Sequence, residues 1–255
     1  MRYAKSIYAT LIVIFLIAPL LVILPLAFTS SAFLTYPVTE LSTRWFEELV
    51  TNSVWSRAII NSLLIAGATT LLATTLGTLA ALGLRSQNLG MKSQIRTLFL
   101  LPIVVPAVVL GVGMQTLFVR LGINSTYLSV IVAHTVIGIP FVVISVSGAL
   151  TGIDQRVERG AESLGAPPWR VFSLITLPLA MPGVLSGAAL AFATSLDEVV
   201  LTLFVAGPNQ RTLARQMFST LRENISPAIA SAAFIIIIGT VLITLALLLA
   251  RRSRA

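Results

Sequence analysis

The sequence contains no cysteine, a single histidine and few charges, with Lys, Arg, Asp and Glu together making up 10% of its 255 residues. Without cysteine there is no disulfide, no thiolate metal site and no thiol nucleophile, and the redox compartment stays open. The one histidine, His134, has no cysteine or carboxylate near it in the sequence, so neither a metal cluster nor an acid–base pair is indicated. No Gly-Lys-Ser or Gly-Lys-Thr occurs, which excludes the P-loop that holds nucleotide phosphates and magnesium. A soluble domain carries about 25% charged residues, so a deficit of this size excludes water as the main solvent of the chain. The short alternating strands of a membrane barrel are also missing.

What is present is apolar and arranged in blocks: 56% of residues are hydrophobic and the mean hydropathy is +0.97. Crossing the hydrocarbon of a bilayer takes about 20 apolar residues in a helix. Six segments qualify, at residues 7–28, 58–84, 98–119, 126–150, 179–205 and 229–250. Their backbone groups must be satisfied within each segment, so they are predicted to be helices. Pro102, Pro106, Pro140 and Pro182 then mark kinks or helix starts. The first segment follows Arg2 and Lys5 as a signal peptide would. Its apolar run exceeds the roughly 7–15 residues of a signal core, so it is expected to remain as a helix.

The formal charge is +8. In a soluble chain that would suggest nucleic acid; here it is assigned to loops that fix orientation, and no nucleic-acid partner is expected. Arg2, Lys5, Arg85, Lys92, Arg96, Arg156, Arg159, Arg170, Arg251, Arg252 and Arg254 fall on one side of the predicted topology. The other side has fewer, and both termini are therefore expected in the cytoplasm. Gly183 with Gly187, and Ala73 with Gly77 and Ala81, supply small-residue faces, either for packing within the subunit or for contact along a pore. Trp45 and Trp55, in the first outer loop, are expected to anchor at the membrane interface. Residues 212–222 fit an amphipathic helix at the outer surface.

The connection between the fourth and fifth segments, residues 151–183, is the most informative stretch. Asp154 can cap a helix that runs through Leu164, Gly165 can stop it, and Pro167-Pro168 bar its continuation. A second short helix from Trp169 then leads through Leu177 and Pro178 back to the membrane. Two helices joined by a Gly-Ala-Pro-Pro bend form an elbow that could pass a push from an attached partner into the next crossing.

Within this stretch Gly165 is followed after nine residues by Ile175, and after one more by Leu177-Pro178. This resembles the EAA loop of ATP-binding-cassette importer permeases, whose motif continues in that spacing. The motif's Glu-Ala-Ala falls on Arg159, Gly160 and Ala161, so only the last alanine agrees, and Glu158 and Glu162 flank the slot. Residues 41–48 (LSTRWFEE), 195–200 (SLDEVV), Gly207-Pro208, Thr212-Leu213 and Ile225-Ser226-Pro227 are similar to segments of spermidine/putrescine permeases of the C type. The resemblance implies an all-α polytopic membrane protein with six transmembrane helices in the type I importer fold of methionine-importer-like permeases. It implies a leading helix and extracytoplasmic loop over 1–56, a permease core over 57–250 with the EAA loop at about 151–183, and a cytoplasmic tail over 251–255. It implies a bacterial inner-membrane subunit that pairs with a second permease, two ATPase subunits and an extracytoplasmic solute-binding protein, in contact with lipid. ATP and magnesium would be used by the ATPases, with no cofactor and no catalytic residue here. Coupling would involve Glu158, Arg159, Gly160, Ala161, Glu162, Gly165, Ala166, Ile175, Leu177 and Pro178.

The expected solute is a polyamine or a related amino compound; opines, amino acids, iron and organophosphonate are the alternatives. Asp197 and Glu198 either line the pathway, where they would attract a cation, or sit solvated near the outer face or paired with Arg211 or Arg215. Met114 and Gln115 either line the pathway or pack in the core. A secondary transporter or channel would explain the helices and the acidic pair, but not the elbow.

Overall fold

The computed structural model describes residues 2–86 and 89–252, with side chains described for 5–86 and 89–242. It is helical throughout: α1 Arg2–Ala27, α2 Arg44–Thr51, α3 Ser53–Arg85, α4 Lys92–Val104, α5 Ala107–Arg120, α6 Tyr127–Thr151, α7 Gln155–Ser163, α8 Pro168–Val171, α9 Leu177–Asp197, α10 Val200–Val205, α11 Leu213–Glu223 and α12 Ala228–Arg252. Among the described residues, four helices are long and apolar enough to span a bilayer, and the bent pair α4–α5 makes a fifth. The sixth expected crossing falls on α12, a 25-residue helix that is apolar over Ala228–Leu242, where its side chains are described. Of the expected tail at 251–255, residues 251 and 252 continue α12 and 253–255 lie outside the described residues.

The chain divides into two compact units. One comprises Met1–Arg57 and Gln216–Leu245. Its α1 is apolar on all sides and carries its large side chains outward, Phe15 at 77% and Leu16 at 65% exposure, as a helix solvated by lipid does. After it the chain turns back through a Thr29–Leu41 bridge, and Phe28, Phe46 and Phe234 meet with ring centroids 5.0–5.7 Å apart. Ser231 on α12 donates to the Ala27 carbonyl at 2.7 Å. Trp45 and Trp55 do not behave as interfacial anchors: both are buried, and Trp45 Nε1 donates to the Ser31 carbonyl at 3.1 Å. The folded outer loop gives these rings protein surface to cover.

The second unit, Ala58–Arg215 with Ala246–Ala255, is organised around α6. Its start is fixed by a reciprocal cap in which Thr126 Oγ1 accepts from Ser129 N and Ser129 Oγ accepts from Thr126 N. Two apolar clusters flank it. One joins Ile65, Met114, Phe118, Val130, Leu201 and Val205; the other joins Ala73, Val142, Val146, Leu150, Ala180 and Ala191.

Two predicted crossings are broken. The segment expected as one helix over 98–119 bends by 102° between α4 and α5. Pro106 has no N–H to continue the ladder, and it holds Val105 extended at φ −69°, ψ 131°. The segment expected over 179–205 stops at Asp197 and restarts at Val200, with Glu198 extended between the two pieces. The second elbow helix is not a separate element. From Pro168 the chain winds continuously to Asp197, through a π-turn over Phe172–Thr176 placed just before Pro178.

Candidate functional site

The elbow is built by local chemistry. Asp154 Oδ1 accepts from Arg156 N at 2.8 Å and caps α7. At the other end Ala166 N donates to Ala161 O at 3.1 Å and Gly165 N to Glu162 O at 2.9 Å, the two bonds of a Schellman stop. That stop places Gly165 at φ +83°, where a Cβ would be strained. Pro167 then directs the chain into α8.

Helix α7 buries none of its own residues, so its orientation must come from specific ties. Glu158 provides them. Its Oε1 lies 2.5 Å from Arg85 Nη1, at the end of α3, and accepts from Thr176 Oγ1 at 2.5 Å, in the π-turn. Arg85 Nη2 also reaches the Ile153 carbonyl at 2.9 Å. One carboxylate thus joins the end of α3, the elbow helix and the entry to α9. Arg159, Gly160, Glu162 and Gly165 are exposed, Ala161, Ala166, Ile175 and Leu177 are half-buried, and Pro178 is exposed. The elbow also exposes large apolar side chains: Val157 at 51%, Leu164 at 89%, Trp169 at 65% and Leu174 at 71%.

The acidic pair sits at the break after α9. Asp197 is exposed, while Glu198 is half-buried and accepts from Leu201 N at 2.7 Å, capping α10. Below the break, buried His134 links α6 to both pieces: Nδ1 is 2.8 Å from Ser195 Oγ and Nε2 is 2.9 Å from Thr202 Oγ1. Thr202 in turn donates to the Glu198 carbonyl at 3.0 Å. Both ring nitrogens therefore serve to hold the broken helix. Arg215 Nη1 donates to the Thr202 and Ala206 carbonyls at 3.1 and 2.9 Å, closing the end of α10. Burial, and then the neighbouring Arg211, lower the pKa of Arg215, yet a guanidinium stays charged across the physiological range. Met114 packs in the apolar core with Ile65 and Phe118, and Gln115 is half-buried.

Sequence reasoning missed Asn61. Its Nδ2 donates to the Asn209 and Arg211 carbonyls, both at 2.9 Å, and its Oδ1 accepts from Tyr127 OH at 2.9 Å. With Ser62 Oγ accepting from Leu213 N at 2.7 Å, the loop over 206–212 is fastened to α3 and α6. The available signal was a buried amide inside an apolar segment, which demands a partner.

Comparison with known proteins identifies the class. Residues 73–255 match the family of binding-protein-dependent transport system inner membrane components, and the chain belongs to that family. It is 35% identical over 230 residues to the putrescine transport system permease protein PotI of Escherichia coli K12, covering 88% of this chain and 82% of the relative. It is 30% identical over 251 residues to the spermidine/putrescine permease protein PotC of the same organism, covering 98% and 95%. A molybdenum transport permease, ModB of Mycobacterium bovis, is 33% identical over 236 residues, covering 85% and 89%. Among solved structures, a bacterial alginate ABC transporter superimposes with a TM-score of 0.71 at 17% identity, covering 99% of this chain and 94% of that one. The MetNI methionine transporter gives 0.63 at 20%, covering 82% and 98%. The fold is that of type I importer permeases. The protein is a multi-pass transport component of the inner membrane, not an enzyme.

Proposed function

We propose that this subunit forms half of the translocation pathway of an ATP-driven polyamine importer and takes its driving motion through the 151–183 elbow. The observation that carries this reading is the elbow itself: a capped helix tied by Glu158 to two membrane elements, with Leu164 and Trp169 presented to the outside of the subunit. Exposed apolar side chains on a polar helix pair mark a protein contact. Two ATPase subunits on the cytoplasmic side fit that contact, and they would supply ATP and magnesium chemistry. A second permease would complete the pathway, and a soluble binding protein would deliver solute to the far side. Both termini then lie in the cytoplasm, in line with the Lys and Arg bias of the loops. Polyamine cargo is supported by the putrescine and spermidine permeases among its relatives and by the acidic pair at the α9–α10 break.

The absence of cysteine makes the test direct. Leu164→Cys is expected to form a crosslink with a cysteine placed on the ATPase, and transport should stop when the link is made and resume on its reduction. Labelling of Leu164→Cys in intact cells by a membrane-impermeant maleimide would place the elbow outside and overturn the assignment. Substrate is tested separately, by binding of putrescine and spermidine to the cognate soluble protein.

The acidic pair gives a second prediction. Asp197→Asn should lower putrescine uptake about fivefold, roughly 1 kcal/mol at the usual 1.4 kcal/mol per decade, because the exposed carboxylate no longer attracts the cation. Glu198→Gln should have a smaller effect, since its side-chain oxygen can still accept from Leu201 N. Unchanged uptake in the Asp197 variant would leave the pair as a capped, solvated helix break.

A further inference from the structure

A cavity of about 480 Å³ opens between the end of α3, the start of α4, the end of α6 and the elbow. Arg85, Lys92, Arg96 and Arg159 line it, with Asp154 as the one acidic group. Arg85 is committed to Glu158 and to the Ile153 carbonyl, which leaves three cations against one carboxylate. That carboxylate is itself turned to its own helix, accepting from Arg156 N. Ala81, Leu84 and Leu150 add apolar side chains to the lining, beside the polar Ser147, Thr151 and Gln155. Helix α4 begins at this cavity, and the Met91 side chain at its N-cap makes no capping hydrogen bond; the N–H groups of the first helical turn add to the positive potential.

We propose that this cavity is a binding site for a phosphate-bearing anion. The three remaining cations, two from α4 and one from α7, repel one another unless a counter-charge occupies the recess. Arg and Lys with free helix N–H groups are the donors that phosphate takes best. The volume exceeds what one phosphate ion fills, and a mixed lining of cationic, polar and apolar side chains suits a phospholipid headgroup with its glycerol stem. Basic pockets between membrane helices hold anionic headgroups in this manner. An anion seated here would draw the start of α4 and the elbow helix α7 together. The site does not depend on which solute is carried, nor on the elbow meeting an ATPase.

The test uses the assembled, detergent-purified transporter after delipidation. Dioleoyl-phosphatidylglycerol, dioleoyl-phosphatidylcholine or inorganic phosphate is added back, and retained lipid is read by native mass spectrometry alongside thermal unfolding. Phosphatidylglycerol is expected to be retained at least fivefold over phosphatidylcholine, and the combined variant Lys92→Gln, Arg96→Gln, Arg159→Gln should bring it down to the phosphatidylcholine level. Displacement of the lipid by millimolar inorganic phosphate, with equal thermal protection, would assign the same site to a soluble anion. Retention unaffected by the triple variant, or protection by neither anion, would overturn the proposal. So would lipid adducts that form only after the ATPases are stripped away, since the charges would then belong to a protein contact.

Discussion

Leucine at Gly187 or Gly183 is expected to remove most of the folded protein from the membrane. A Cβ at Gly187 would stand 2.8 Å from Val142 Cα, and one at Gly183 would stand 2.5 Å from Ala149 Cβ and 2.7 Å from the Ser145 carbonyl. Backbone atoms and a Cβ on α6 cannot swing aside as a flexible side-chain tip can, so the helices must part. Val142 is held from its other side as well, where a Cβ at Gly77 of α3 would lie 2.6 Å from its own. Helix α6 is thus wedged between glycines on α3 and α9 and has no slack in either direction. Overpacking of a core costs about 1–3 kcal/mol, and contacts this close to backbone belong at the upper end. In a bilayer, where lipid is as apolar as the interface, little else drives these helices together. Gly148→Leu is the control: it lies on α6, the helix that those glycines pack against, with nothing within 4 Å of its added Cβ, and it should accumulate normally. The readout is the amount of monodisperse protein extracted from membranes and its unfolding temperature in detergent. Normal yield from Gly187→Leu would mean that α6 and α9 separate easily. The same contacts decide between the two roles open to the Gly183–Gly187 face, since they lie within the subunit.

Features whose causes are local could be read from the sequence with little loss. The Asp154 cap, the Gly165 stop and the Pro167-Pro168 turn each depend on residues within one helical turn, and each stands where the spacing places it. The apolar blocks likewise emerge as helices. The breaks were harder. Proline inside an apolar segment is compatible with a gentle kink or a sharp bend, and only the neighbours that accept the freed backbone groups decide between them. Pro102 and Pro140 lie within continuous helices, whereas Pro106 accompanies a 102° bend. The split after α9 has no proline at all. It rests on the Glu198 cap and on His134 reaching Ser195 and Thr202, 61 and 68 positions away. Trp45 and Trp55 were misplaced for the same reason, because burial of a ring depends on surfaces supplied from elsewhere in the chain. The tie from Arg85 to Glu158 spans 73 positions and joins two residues that composition marks only as loop charges.

That tie leads to the second large effect: Glu158→Ala should abolish most transport while leaving the membrane helices folded. Arg85 and Glu158 have side-chain exposures of 15% and 16%, between a surface pair and a buried one. Exposed pairs contribute about 0–1 kcal/mol, and removing one partner of a buried pair costs about 3–5 kcal/mol. A local cost of about 2 kcal/mol is expected here, and the Thr176 hydroxyl loses its acceptor as well. None of this touches the α6–α9 packing, so the yield of extracted protein should stay close to that of the parent. What changes is stiffness: with no buried residue of its own, α7 without Glu158 can swing on Asp154 and Gly165 and no longer pushes on α3 or on the π-turn before α9. Uptake should fall at least tenfold while the assembled transporter still hydrolyses ATP, the signature of a disconnected drive. Glu158→Gln keeps an oxygen for Thr176 and Arg85 and should fall in between. A double-mutant cycle of Arg85→Ala with Glu158→Ala should show coupling between the two sites, the paired variant being no worse than either single one. Full-rate transport by Glu158→Ala, or a loss of uptake that merely tracks a loss of protein, would show that the elbow is held by something other than this carboxylate.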